Sequence, residues 1–99
     1  MAVIELVTFK LSEGANEDEF IHASKEMEED MQNIKGYIKR ELIKHPDGRY
    51  GDLVHWESMD AAKEAMDQAM QMQGPQKYFT FIDESSIDMN HYDVVDHFN

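Results

Sequence analysis

The chain has 99 residues, with 9 basic against 21 acidic side chains and a formal net charge of −12. That length holds one domain with a single modest core, and the acidity argues against nucleic acid or an anionic membrane surface as partner, since both require attraction to phosphate. The absence of cysteine excludes a disulfide framework, a thiolate metal site and a cysteine nucleophile, which makes the cytoplasm the expected location.

The opening stretch MAVIELVTFKL lacks a basic leader and breaks its apolar run at Glu5 and Thr8, so it is not read as a signal peptide. No window approaches the ~20 apolar residues of a membrane helix. From Val3 to Leu11 apolar residues fall on both sides of the alternation, as in a central strand covered on both faces. Asn16 with Glu19 forms a capping box, and Phe20, Ala23, Met27, Met31 and Ile34 recur at helical spacing until Gly36 ends the run. The acidic run Glu26, Glu28, Glu29, Asp30 is the solvated side of this helix.

The segment GYIKRELIKHPDGRYGDLVHWES, Gly36 to Ser58, reads as a hairpin with strands over Tyr37 to Lys44 and Tyr50 to Glu57. His45-Pro46-Asp47-Gly48-Arg49 suits a type I turn closed by a left-handed Gly48. A three-residue loop pairs His45 with Arg49. Leu42 then lies opposite Asp52, Arg40 opposite Val54 and Ile38 opposite Trp56 on one face, with Glu41 opposite Leu53 and Lys39 opposite His55 on the other. A four-residue loop would exchange the faces. Ser58 caps a second helix with the stripe Ala62, Ala65, Met66, Ala69, Met70. Gly74-Pro75 breaks it, Gln76 to Ile82 forms a short helical turn, Ser85 to Val95 alternates as a fourth strand, and His97 to Asn99 is a frayed tail.

The order strand, helix, strand, strand, helix, strand predicts an α+β, ferredoxin-like fold, a four-stranded antiparallel sheet with both helices on one face. The other face would carry Ile4, Leu6, Tyr37, Ile43, Leu53 and Tyr92. That is too much apolar surface to leave wet, and it predicts a homodimer formed sheet to sheet.

With its opening strand VIELVTFKL, the helix capped at Asn16, the Gly36-Tyr37 entry to strand two and the junction His55-Trp56-Glu57-Ser58, the chain resembles the antibiotic biosynthesis monooxygenase-like family of the dimeric α/β barrel superfamily. The resemblance implies a ferredoxin-like protomer that dimerises through its sheet, with a ligand cavity between sheet and helices. That family includes oxygenases that need no cofactor and act on phenolic or quinone-type substrates, and relatives that degrade haem. Haem is disfavoured here, because Ala61 to Gln73 has no histidine and the first-strand position holds Glu5. The polyketide-oxidising branch resembles this chain at Trp56, but where it carries an amide one alternation earlier this chain has Asp52.

In the favoured register the helix-facing side holds Glu5, Arg40, Asp52 and His91 among apolar residues including Phe9 and Trp56. Buried ionisable groups are costly unless paired, so these four either neutralise one another as a structural network or line a cavity. In the second case His91 is a general base tuned by Glu5, Arg40 stabilises an oxyanion, and Trp56, Asp52, Phe9, Met66 and Met70 contact a small aromatic or polyketide-like substrate, with no cofactor. A tautomerase, or a binding module without turnover, would use the same groups. Alternatively Tyr78, Phe79 and Phe81 fill the space. The five histidines show no metal-ligand spacing.

Overall fold

The computed structural model describes residues 2–98. Strand β1, Val3–Phe9, is followed by helix α1, Glu17–Met31, strands β2, Tyr37–Lys44, and β3, Tyr50–Trp56, helices α2, Met59–Ala69, and α3, Gln73–Phe79, and strand β4, Asp88–Asp93. The strands form one antiparallel sheet in the order β2-β3-β1-β4, the ferredoxin-like arrangement expected.

The local chemistry that starts α1 and α2 and closes the hairpin operates as read. Asn16 Oδ1 accepts the Glu19 N–H at 2.9 Å, and Ser58 Oγ accepts that of Ala61 at 3.1 Å. At the hairpin the His45 N–H reaches the Arg49 carbonyl at 2.7 Å and Gly48 sits at φ +99°. The three-residue loop therefore sets the register: Lys39 faces His55, Arg40 Val54, Glu41 Leu53 and Leu42 Asp52.

Five expectations need correction. A β-bulge between Tyr37 and Lys39 puts Tyr37, not Ile38, opposite Trp56. Tyr37 thus turns to the helix side, where its ring meets Trp56 edge-on at 5.6 Å and its hydroxyl donates to Glu28 at 2.6 Å, while Ile38 is exposed. Strand β1 stops at Phe9, and Leu11 makes an isolated bridge with Ile82. Helix α1 ends at Met31, and Ile34 is buried through the tight turns after it. Gly74-Pro75 begins a helix, because Pro75 occupies the first turn, where a missing N–H costs nothing, and the Gly74 N–H is taken by Asp30 Oδ2 at 2.8 Å. The fourth strand is shorter than read, since a 3-10 turn over Glu84–Ser86 precedes it. In the tail, Val95 and Phe98 are exposed, and Asn99 lies outside the described residues.

The core lies between the sheet and α1 and α3. Phe9, Phe20, Tyr50 and Tyr78 form an aromatic cluster with ring centroids 5.1–6.2 Å apart, and α1 adds Met27 and Met31. Helix α2 contributes only Ala62 and Ala65 as buried residues. Its first turn lies against the chain entering β2: Gly36, at φ +85°, would place a Cβ 2.4 Å from the Ala61 Cβ.

Gly36→Ala combines left-handed strain of ~1–2 kcal/mol with over-packing of ~1–3 kcal/mol. Gly14→Ala, at φ +81° with nothing within 4 Å, carries the strain alone. Urea denaturation should show the Gly36 variant losing clearly more stability than the Gly14 variant; equal losses would mean that the Ala61 contact relaxes freely.

Candidate functional site

Two groups of polar side chains occupy the helix-facing side of the sheet. The first is centred on Arg40 of β2, whose side chain is 5% exposed. Its Nη1 donates to both Asp52 oxygens at 3.0 and 3.1 Å, Nε to Glu28 Oε1 at 2.9 Å and Nη2 to Ser24 Oγ at 2.7 Å. The Tyr78 hydroxyl donates to Asp52 Oδ2 at 3.2 Å, and the Tyr78 ring lies 5.6 Å from the guanidinium carbon. Burial raises the Asp52 pKa, opposed by the charge and hydrogen bonds of Arg40. Both of its hydrogen-bond partners, Arg40 and Tyr78, donate, so the ionised carboxylate is the form those bonds accommodate. For Arg40, burial works against its charge, but the field of Asp52 raises its pKa.

The second group is Glu5 with His91. Register places them opposite each other on β1 and β4, with Glu5 Oε2 2.8 Å from His91 Nε2. Glu5 is held above the ordinary carboxylate pKa, first by burial and further by the charge of Asp52, while the hydrogen bond and charge of His91 pull the other way. The side chains are 10% and 24% exposed, respectively, so the imidazole runs from a buried carboxylate toward solvent.

Beside them is a cavity of about 60 Å³ between the sheet and the helices. Glu5, Asp52 and Trp56 line one wall, Phe9, Tyr78 and Phe79 the aromatic end, and Ala62, Ala65, Met66 and Ala69 of α2 the opposite side. Trp56 is buried, and its Nε1 has no hydrogen-bond partner. The indole lies close enough to Glu5 to lower the carboxylate's pKa slightly without making a hydrogen bond of normal geometry. An unpaired buried N–H costs about 1–3 kcal/mol, and here the acceptor it approaches is the Glu5 carboxylate.

Of the residues singled out in the sequence, Glu5, Asp52, Trp56, Phe9 and Met66 meet at this cavity. Arg40 is absent from its lining and is fully committed to Asp52, Glu28 and Ser24. His91 is reached only through Glu5. Met70, the C-cap of α2, does not line the cavity and is 48% exposed. The sequence reading did not assign Glu28 and Ser24 to the Arg40 network; their i, i+4 spacing on α1 was the available signal. Among the described residues no group of three or more His, Asp or Glu side chains is arranged to hold a metal ion, and no helix is long and apolar enough to cross a membrane.

No family model matches the sequence, nor does any curated protein. Solved structures do. SnoaB, a cofactor-independent oxygenase from Streptomyces nogalater, superposes with a TM-score of 0.77 at 13% identity over 97% of this chain and 95% of that one. A candidate antibiotic biosynthesis monooxygenase from Nitrosomonas europaea gives 0.71 at 10% identity, covering 95% and 90% of the two chains. Rv0793 from Mycobacterium tuberculosis gives 0.68 at 13% identity over 98% of each. At these identities the likeness establishes the fold, that of the antibiotic biosynthesis monooxygenase-like proteins.

Two outcomes test the electrostatics. Arg40→Met strands Asp52 and should cost about 3–5 kcal/mol in urea denaturation, whereas Arg40→Met with Asp52→Asn should recover part of the loss. A single variant as stable as wild type would refute the pairing. For Glu5 the folded pKa is raised, so its protonated form favours the folded state, and that contribution disappears as pH climbs through the folded pKa. Melting temperatures should therefore show Glu5→Gln gaining on wild type as pH rises from 4.5, the ordinary value; a gap independent of pH would contradict the shift.

Proposed function

We propose that this chain works as a homodimeric, cofactor-independent monooxygenase of small aromatic or polyketide-like phenols, with Glu5 as the base. The observation that carries the reading is a buried carboxylate of raised pKa on the wall of an apolar cavity, backed by an imidazole that leads to solvent and adjoining an unpartnered indole N–H. A base acts best when its pKa lies near the working pH, and burial moves Glu5 in that direction. The shared fold with SnoaB supports the reaction class.

In this reading Glu5 takes the proton of a phenol or an activated methylene, and His91 passes it to water. Trp56 Nε1 donates to the oxygen that gains charge, a preorganised donor in a water-poor site. The substrate anion gives an electron to dioxygen, the radical pair collapses to form a carbon–oxygen bond, and the resulting peroxide anion takes a proton back from water through His91 and Glu5. Loss of water from the hydroperoxide leaves a carbonyl. The methylene has then lost four electrons and dioxygen has gained four, one oxygen atom ending in product and one in water. Asp52 shapes the wall, and Arg40 holds Asp52 in place.

The dimer rests on the open sheet face. Ile4, Leu6, Leu53 and Ile43 lie on it by register, with Tyr92 beside Ile4, and Ile43 and Tyr92 are 47% and 51% exposed. The His55–Glu41 pair, 3.0 Å apart, occupies the same face. Light scattering at micromolar concentration should give twice the 11.6 kDa of one chain; a monomer would remove this part of the reading.

A second reading, a binding module without turnover, is favoured by the commitment of Arg40 to Asp52, Glu28 and Ser24, which leaves no cation on the cavity wall to stabilise an oxyanion. Oxygen uptake with anthrone as probe separates the two. Glu5→Gln should lower kcat by about 10²–10⁴-fold, the usual worth of a general base, and the wild-type rate should rise with pH through the Glu5 titration. Full activity in Glu5→Gln would overturn the assignment, and binding without oxygen uptake would establish the module.

A further inference from the structure

We infer that the alanine face of α2 is the size filter of this site: Ala62, Ala65 and Ala69 set how large an aromatic ligand the cavity admits, with Met66 as the gate at its mouth. The inference deepens the reading of the cavity as an aromatic site and rests on it.

The two halves of the layer over the sheet are built differently. Helices α1 and α3 are held by the aromatic cluster, by Arg40 reaching Ser24 and Glu28, and by the Gly74–Asp30 hydrogen bond. Helix α2 buries only Ala62 and Ala65. Alanine places one methyl group against the sheet, so the space that longer side chains would fill remains as cavity. Ala62, Ala65 and Ala69 all line it, at successive turns of one face. Opposite them stand Glu5 and the buried Trp56, whose Nε1 makes no hydrogen bond of normal geometry among the described residues.

Met66 both lines the cavity and is 38% exposed, which places it where the cavity meets solvent. Methionine is unbranched and changes shape at little cost, so it can move aside and return. The C-terminal end of α2 is tied to α3 by an exposed hydrogen bond, Gln76 Nε2 to the Met70 carbonyl at 2.7 Å. A ligand larger than the resting space therefore finds the least resistance on the α2 side, and each alanine methyl decides how far that wall must give.

Chain chemistry supplies the readout, since Trp56 is the single tryptophan and lines the cavity. Phenol and 1-naphthol, one ring and two, are titrated by calorimetry with Trp56 emission followed in parallel. Wild type should bind both. Ala69→Leu, at a half-buried position that can accept the added bulk, and Ala65→Val, which fills the interior, should weaken 1-naphthol about tenfold or more relative to phenol. One or a few methylene groups discriminate by about 10–200-fold in such sites. Unchanged preference between the two probes in Ala69→Leu, with its melting curve intact, would overturn the inference while leaving the aromatic site standing. If neither probe binds wild type or perturbs Trp56, the aromatic reading itself falls, and the filter with it.

Discussion

The buried guanidinium of Arg40 is the interaction on which the rest of this structure depends. It stands on an edge strand, yet it connects β3 through Asp52 with α1 through Ser24 and Glu28, and Tyr78 of α3 joins by donating to the same carboxylate. Such a network gains less in net free energy than its charges suggest, because each ion is taken out of water. Its effect is geometric. It fixes the height of α1 and α3 above the sheet, and with that the position of the aromatic cluster that closes one end of the cavity.

A division of labour follows across the sheet. Both carboxylates are buried and burial pushes both pKa values up; the one near β2 is paired with a guanidinium and held, whereas the one on central β1 has a histidine as its partner. The first arrangement is structural and the second is chemically poised, although both are acids on the same face of the same sheet. What separates them is the partner. A guanidinium with fixed donors locks Asp52 as an anion, whereas an imidazole can give or take a proton beside Glu5.

Much of this was legible in the chain. The turn residues from His45 to Arg49 set a register that carried Arg40 and Asp52 to one face, because side-chain alternation leaves no freedom once a hairpin loop is closed, and the split βαβ strand order then brought Glu5 beside His91. The bulge at Tyr37–Lys39 was not legible: the preceding Gly36 must approach Ala61 closely, and the strand absorbs one extra residue in leaving that contact. Period-two counting cannot register such an insertion. The pairing of Arg40 with a carboxylate was one of the two readings the sequence offered; its bonds to Ser24 and Glu28 were not legible, since strand alternation gives the direction of a side chain and not its reach into an opposing helix. Met70 was misplaced although it keeps helical spacing: the cavity is lined by Ala62, Ala65, Met66 and Ala69, and Met70 lies on the solvent side of that stripe.

The contact between Gly36 and Ala61 has a mechanical meaning. It fastens the first turn of α2 to the start of β2, and the Glu57 N–H bonded to the Gly36 carbonyl at 2.8 Å reinforces it. Any displacement of α2 would then pivot on its N-terminal end and break the Gln76–Met70 hydrogen bond at the other, with Ala69 travelling furthest. At 1.5 Å rise per residue the arm from Ala61 to Ala69 is roughly 12 Å, so a tilt of about 15° carries the tip roughly 3 Å. The helix acts as a lever whose fulcrum is a glycine.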